Sequence, residues 1–340
     1  MSMLDPILAT WKRLDLEALL DLRPEYPPVA IEIERGQLTL VRVKPGRRAL
    51  PALEAHQIQT LPETQNGATV FRPNLGSIAD LATAAKTLFE KSGTKPGRVS
   101  LVLPDNFAKV SIVTLPERPP QRRQLQELVR FKMRRSVPFR LEDAAISSCA
   151  LPGPGPELHM LVAVMMRSVV EQLEAAFEAA GSRPGLIDLC TPSLINLVRP
   201  ELGKALASGS DAAILNCTRT YFTLAILRAD RVVFFRCKTY AGDEDADTSG
   251  RIAVMARELT SSLSYYKEKL DGKGIETVFV RAVSPGLDEV VPVLSRLGIA
   301  SVRPIEAGLA VEESSASRLD PVDGQTLAPA LGAAAGRLAS

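Results

Sequence analysis

Val29-Ala-Ile-Glu-Ile-Glu34, Arg35-Gly36 and Gln37-Leu-Thr-Leu-Val-Arg-Val43 form a period-2 run, a short turn and a second period-2 run, the pattern of a β-hairpin. Working outward, Ser77 with Asp80 three residues on caps a predicted helix whose Ile78, Leu81, Ala85 and Leu88 share a face. Arg98 to Leu103 then reads as a buried strand that Pro104 ends. The same kind of array recurs beyond Ser208-Gly209-Ser210, the most linker-like point of the chain. There Ala212 to Leu215, Tyr221 to Leu227 and Arg231 to Thr239 are three further strand-like runs. The recurrence predicts an α/β protein of two related halves.

Between the arrays the pattern is different. A strand over Ala108 to Leu115 is followed by Pro119-Pro120 and a helix with Leu125, Leu128, Val129 and Met133 on one side. After the break Val137-Pro138-Phe139 come strands over Ala144 to Leu151 and Leu158 to Met166. Ser168 and Glu171 read as a capping box for a helix carrying Val169, Leu173, Ala176 and Phe177, stopped by Gly181. These elements predict a small αβ unit over 104–185, inserted into a first lobe made of 28–103 and 186–208. The second lobe, 209–340, holds the clearest helix, with Ile252, Met255, Leu259, Leu263, Tyr266 and Leu270 at helical spacing, and closes with an Ala-rich helix over Leu327 to Leu338. Residues 1–27 are expected to begin with an amphipathic helix capped by Asp5, with Leu4, Ile7, Leu8, Trp11 and Leu14 at helical spacing. Packing onto its own domain and binding a membrane surface or partner are both open to it.

The 340 residues are 46% apolar and 24% charged, material enough for two packed lobes. Forty-one basic against thirty-nine acidic residues leave a formal charge of +2, so no global field drives nucleic-acid binding. Two histidines and four cysteines, with no CxxC, argue against a zinc site and leave histidine catalysis almost nothing to use. Cys217 and Cys237 read as small core residues. The longest apolar run, Met160 to Met166, is far short of the roughly 20 residues that cross a bilayer. Met1 to Leu22 lacks the apolar core of a secretory signal. The expectation is a cytoplasmic chain with unpaired thiols.

The ordered series Val29-Ala-Ile-Glu-Ile33, Val102-Leu-Pro104, Leu128-Val-Arg-Phe-Lys-Met-Arg-Arg-Ser-Val-Pro-Phe139, Ala179-Ala-Gly-Ser-Arg-Pro-Gly-Leu-Ile-Asp188, Arg231-Val-Val-Phe-Phe-Arg236 and Leu259-Thr-Ser-Ser-Leu-Ser-Tyr265 resembles the PilM family of type IV pilus assembly proteins. That resemblance covers nearly the whole chain. It implies a bilobed actin-like fold of the duplicated ribonuclease H-like kind, with an αβ subdomain inserted in the first lobe. It also implies a cytoplasmic adaptor, peripheral at the inner membrane, that binds the N-terminal tail of a PilN-like membrane protein. The cytoplasmic part of the secretion protein GspL shares the fold, and the lack of a spanning segment argues against that relative.

The resemblance further implies an ATP and Mg²⁺ site between the lobes, whose chemistry the residues here do not support. Where the family has Gly-Ile-Asp-Ile-Gly, this chain has Ala30-Ile31-Glu32-Ile33-Glu34, followed by Arg35 and Gly36. Glu34 places a side chain and a negative charge where phosphate would approach, at about 4 kcal/mol per pair of unit charges ~4 Å apart in an effective dielectric of ~20. Arg35 offsets part of that. In the second half Asn216 and Thr218 stand in place of an aspartate and a glycine. The adenosine turn reads Val283-Ser284-Pro285-Gly286, with one glycine and a proline that removes a donor. The reading is a degenerate cleft at Glu32, Glu34, Arg35, Gly36, Asn216, Thr218, Ser284 and Gly286, with no cofactor, no catalytic residue and no metal. The competing reading is an active ATPase or sugar-kinase relative, with ATP and Mg²⁺ bound and Glu32 and Asp188 as metal-site carboxylates.

Residues 118–140 carry Arg118, Arg122, Arg123, Arg130, Lys132, Arg134, Arg135 and Arg140 against the single acid Glu127. A solvated helix face is the bland account of such a run, and anionic headgroups or an acidic partner are the functional ones. No nucleic-acid motif accompanies it. The expected tail-binding residues are Phe107, Val110, Ile112, Phe131, Arg134, Arg135 and Phe139, with the strand Ala108 to Leu115 open to strand addition. Self-association is a further expectation.

Overall fold

The computed structural model describes residues 26–46, 50–62, 68–72, 75–153, 156–229, 231–240, 247–312 and 321–336. The amphipathic segment expected at the N-terminus lies outside them, apart from Tyr26 and Pro27. In chain order the first strands are β1 (Val29–Glu34), β2 (Gln37–Pro45) and β3 (Pro51–Thr60), an antiparallel meander paired as the hairpin pattern requires, Glu34 opposite Gln37. Helix α1 (Ile78–Ser92) follows, its first turn capped by Ser77 Oγ accepting from the Asp80 N–H at 3.2 Å. β4 (Arg98–Leu103) then runs parallel to β1.

The insertion consists of β5 (Lys109–Leu115), α2 (Arg122–Met133), β6 (Ala144–Leu151) and β7 (Leu158–Met166), its antiparallel sheet ordered β5-β7-β6. It has a core of its own, in which Val129 and Met133 of α2 meet Val113, Leu115, Met160, Val162 and Val164. The chain then returns through α3 (Arg167–Ala179), β8 (Arg183–Leu189) and α4 (Cys190–Leu206). The second half is β9 (Asp211–Cys217), β10 (Tyr221–Arg228), β11 (Arg231–Thr239), α5 (Thr248–Lys269), β12 (Ile275–Ala282), α6 (Leu287–Arg296), β13 (Ser301–Pro304) and α7 (Pro321–Ala335).

The duplication is exact in topology. One sheet is ordered β3-β2-β1-β4-β8 and the other β11-β10-β9-β12-β13, each an antiparallel meander followed by two parallel strands. Alternation assigns the faces. In the first sheet Ile31, Ile33, Leu38, Leu40 and Leu101 pack under α1 and α3, with Leu81, Leu88, Leu173 and Phe177. Ala30, Val41 and Val102 look the other way, onto α4 and α7. In the second sheet Leu215, Ile226 and Val280 lie under α5 and α6, while Ala212, Ile214 and Phe279 face α4 and α7. The helices α4 and α7 are therefore shared filling between two sheets, and their cluster includes residues from both lobes.

Three expectations are corrected. The insertion does not extend to residue 185: Val169, Leu173, Ala176 and Phe177 of α3 join the first lobe's core, and β8 from Arg183 onward pairs with β4. The last helix does not close the second lobe alone; α7 packs against α4, β1, β2 and β4. Ser168 is not a cap, because α3 opens one residue earlier at Arg167 with Met166 in the N-cap position and no side-chain cap bond.

Candidate functional site

Glu32 sits on the inward face of β1, and Asn216 and Arg281 sit on the inward faces of β9 and β12, so period-2 alternation aims all three into the seam between the lobes. All are buried, Arg281 at 2% exposure. The Arg281 guanidinium crosses the seam. Its Nη2 lies 2.9 Å from Glu32 Oε1, and Nη1 donates to Asn216 Oδ1 at 3.3 Å and lies 3.9 Å from Glu34 Oε2. Nε donates to the Gln325 carbonyl of α7 at 2.9 Å, and the Gln325 side-chain oxygen accepts from the Ala282 N–H at 2.9 Å. One side chain thus ties both halves of the duplication and the helix shared between them.

A second buried network lies beside it. Asp105, fully buried just after β4, accepts from the Thr191 N–H at 2.9 Å and from Thr191 Oγ1 at 2.5 Å. Asn216 Nδ2 is within 3.4 Å of Asp105 Oδ2, 3.2 Å of Cys190 Sγ and 3.3 Å of the Tyr221 hydroxyl. Burial pushes the Glu32 carboxyl up to about 8, against the pull of Arg281. Burial likewise raises Glu34 and Asp105, and lifts Asp188 to about 6. One guanidinium cannot neutralise this many carboxyl groups, so part of the cluster holds protons near neutral pH.

In the turns expected to cradle phosphate and adenosine, polar groups are already bonded within the protein. Thr218 N–H and Oγ1 both donate to the Tyr221 carbonyl, at 2.9 and 3.1 Å. Ser284 Oγ accepts from Arg251 at 3.3 Å, and the Gly286 N–H, at the start of α6, is taken by Glu289 Oε2 at 2.9 Å. Arg35 and Gly36 form the β1–β2 turn, Gly36 at φ +77°. Of the eight cleft residues, the structure joins Glu32, Glu34 and Asn216 through Arg281, sets Thr218 beside Glu34, ties Ser284 to Arg251 of α5, and leaves Arg35 and Gly36 in the β1–β2 turn and Gly286 at the start of α6. Among the described residues no group of three or more His, Cys, Asp or Glu is disposed to hold a metal ion.

Arg281 and Asp105 escaped the sequence reading. Their signal was a lone charge at an inward position of an apolar strand, Val278-Phe279-Val280-Arg281, and a lone acid directly after the Pro104 stop.

The expected partner-binding residues are not one groove. Phe107 and Val110 are buried in the first lobe's core, and Ile112 packs toward the cluster between the lobes. Phe139 is half-buried against the insertion's own core. Phe131, Arg134 and Arg135 are exposed on α2 and the turn that follows it, with Leu128, which the sequence placed on the buried side. The strand expected to accept a partner strand, β5, lies against β11 of the second lobe. Its sheet's other edge, β6, is exposed from Ser147 to Ala150.

In structure the chain is similar to the PilM–PilN type IV pilus biogenesis complex, with a TM-score of 0.74 over 93% of this chain and 98% of that one, at 19% identity. A Bacteroides thetaiotaomicron protein of unknown function with an actin-like ATPase fold matches over 86% of this chain and 96% of its own, at a TM-score of 0.50 and 11% identity. The fold is actin-like. Two duplicated lobes meeting over a shared core, with the insertion between β4 and α3, are its parts in this chain. The cytoplasmic domain of EpsL, an inner-membrane component of the type II secretion system of Vibrio cholerae, is similar at a TM-score of 0.44, 11% identity and 74% and 81% coverage. No protein-family model matches the sequence, and no curated protein matches it. Among the described residues no helix is long and apolar enough to cross a membrane.

Proposed function

We propose that the chain is a cytoplasmic adaptor of a type IV pilus or related secretion assembly, working at the inner membrane by binding and not by catalysis. In this reading its actin-like cleft holds Arg281 where a nucleotide and its cation would sit. The observation that carries it is the guanidinium spanning Glu32 and Asn216: the positive charge that a phosphate-bound metal ion would supply is already part of the chain. A nucleotide would have to break that bridge and bring its phosphates against Glu34.

The likeness to the PilM–PilN complex supports a PilN-like tail as the partner, and the inserted unit is its place in this reading. The β6 edge offers unpaired backbone groups along an exposed strand, to which an extended tail adds as a fourth strand. Titration calorimetry tests both halves of the proposal. Mg-ATP should give no binding heat, and micromolar affinity for it would restore the ATPase reading. A synthetic N-terminal tail of the PilN-like partner should bind. Because alternate N–H groups of β6 point outward, one of Ser148→Pro and Cys149→Pro should abolish tail binding while the fold is kept. Tail affinity unchanged in both variants would reject the edge.

A further inference from the structure

Helix α2 has two apolar sides. Leu125, Val129 and Met133 recur every four residues and pack into the insertion. On the far side Gln124, Leu128 and Phe131 recur at four and three, with Leu128 41% and Phe131 72% exposed, and Arg135 follows in the turn after the helix. Neither Leu128 nor Phe131 belongs to an apolar cluster of the described residues, and exposed neighbouring apolar side chains of this size mark an interaction surface.

Cations surround the pair. Arg122, Lys132, Arg134 and Arg135 are exposed and make no ion pair among the described residues, whereas Arg123 is taken by Glu127 at 3.0 Å and Arg130 by the Leu141 carbonyl at 3.1 Å. Glu127 is the one acid between 118 and 140. Two large apolar side chains are exposed on one helix, with Lys132 beside them and Arg134 and Arg135 in the turn that follows. An extended peptide needs a groove or a strand edge, and an exposed helix face offers no unpaired strand. A plane with negative charge at its surface and hydrocarbon beneath matches it, because the ammonium and guanidinium groups stay at phosphate level while Leu128 and Phe131 enter the acyl boundary.

We infer that the outer face of α2 is a membrane-contact surface that lays the inserted unit on an anionic bilayer, through Leu128, Phe131, Lys132, Arg134 and Arg135. It neither requires nor excludes the tail on β6. The full chain should pellet with phosphatidylglycerol-rich vesicles and not with phosphatidylcholine vesicles, and each cation removed should lower the partition about fivefold. Arg134→Glu with Arg135→Glu should abolish pelleting, and Phe131→Ser should weaken it, with far-UV circular dichroism and tail affinity unchanged. Phe131→Trp should add an emission component that shifts to the blue on anionic vesicles and is quenched by brominated acyl chains. Equal partition onto both vesicle types, an unshifted Phe131→Trp signal, or wild-type pelleting by the charge-reversed variant would each overturn the assignment. So would loss of tail binding in these variants with no vesicle binding by the parent chain, which would make the face a peptide site.

Discussion

Arg281 Nη2 of the second lobe lies 2.9 Å from Glu32 Oε1 of the first, both side chains almost wholly buried. The contact couples lobe position to two residues. Above pH ~8, where the Glu32 carboxyl is ionised, removing one member of such a buried charged pair typically costs about 3–5 kcal/mol, because the other is left without compensation. Arg281→Met should therefore lower the urea midpoint sharply, and Glu32→Leu combined with it should recover much of the loss. A double-mutant cycle measures this. Additive single losses, with no recovery in the pair, would show that Arg281 acts through Asn216 and Gln325 instead.

The same cluster sets a pH dependence. Burial raises Glu32 from its ordinary 4.5 to about 8 and Asp188 from 3.8 to about 6. A carboxyl raised in the folded state binds its proton more tightly there, so its contribution to stability is complete at low pH and is lost as pH climbs through the folded value. Stability should fall between pH ~5 and ~8.5, the upper part of the fall belonging to Glu32 together with Glu34, which burial raises beside it. Urea midpoints taken across that range should decline, and Glu32→Gln should flatten the decline above pH ~6.5. A midpoint that rises with pH would contradict the assignment.

The sequence carried the architecture well where one period ran unbroken. The 29–43 hairpin, the Ser77 cap and the recurrence of the meander at 212–239 were legible because alternation, turn and cap are local. What was not legible was membership. Whether α3 belongs to the insertion or the lobe depends on Phe177 and Leu173 meeting Leu81 and Leu88, a contact between residues about 90 apart in the chain. Nor could α7 be placed, since a helix of alanines shows no preferred face until two sheets enclose it. The surroundings of the expected partner residues were hidden for a related reason: Phe107 and Phe131 are the same type in one stretch, and only tertiary packing buries the first and exposes the second.

Within the second lobe, Asp211 is a further buried junction. Its carboxylate accepts from the Tyr266 hydroxyl at 2.6 Å and from Arg228 Nη2 at 2.8 Å, and Arg228 Nη1 continues to the Leu270 carbonyl at 3.1 Å. Tyr266→Phe removes one hydrogen bond to a charged acceptor, an effect of about 1.5–3 kcal/mol. Arg228→Ala should cost more, since it strips the carboxylate of its counter-charge and frees the end of α5. Chemical unfolding of the two variants should rank them in that order, and a reversed order would mean that Tyr266 matters chiefly as a packing group.

The last prediction concerns how closely the shared helices meet. A Cβ built on Gly332 of α7 would lie 2.0 Å from the Ser193 carbonyl oxygen and 3.3 Å from Leu197 Cβ, both on α4. The first obstacle is backbone, which cannot swing aside as a side chain can. Gly332→Ala therefore has to push α7 off α4, and overpacking of this kind costs about 1–3 kcal/mol or more, against a gain of about 1 kcal/mol from helix propensity. Gly203→Ala, within α4, meets nothing within 4 Å, so there the propensity gain stands alone and the variant should be stabilised. Opposite signs are thus expected from the same substitution in two touching helices. Thermal and urea unfolding of both variants should show a loss for Gly332→Ala and a gain for Gly203→Ala. A neutral Gly332→Ala would mean that α7 can slide on α4, and that the lobes are not held at the spacing the Arg281 bridge requires.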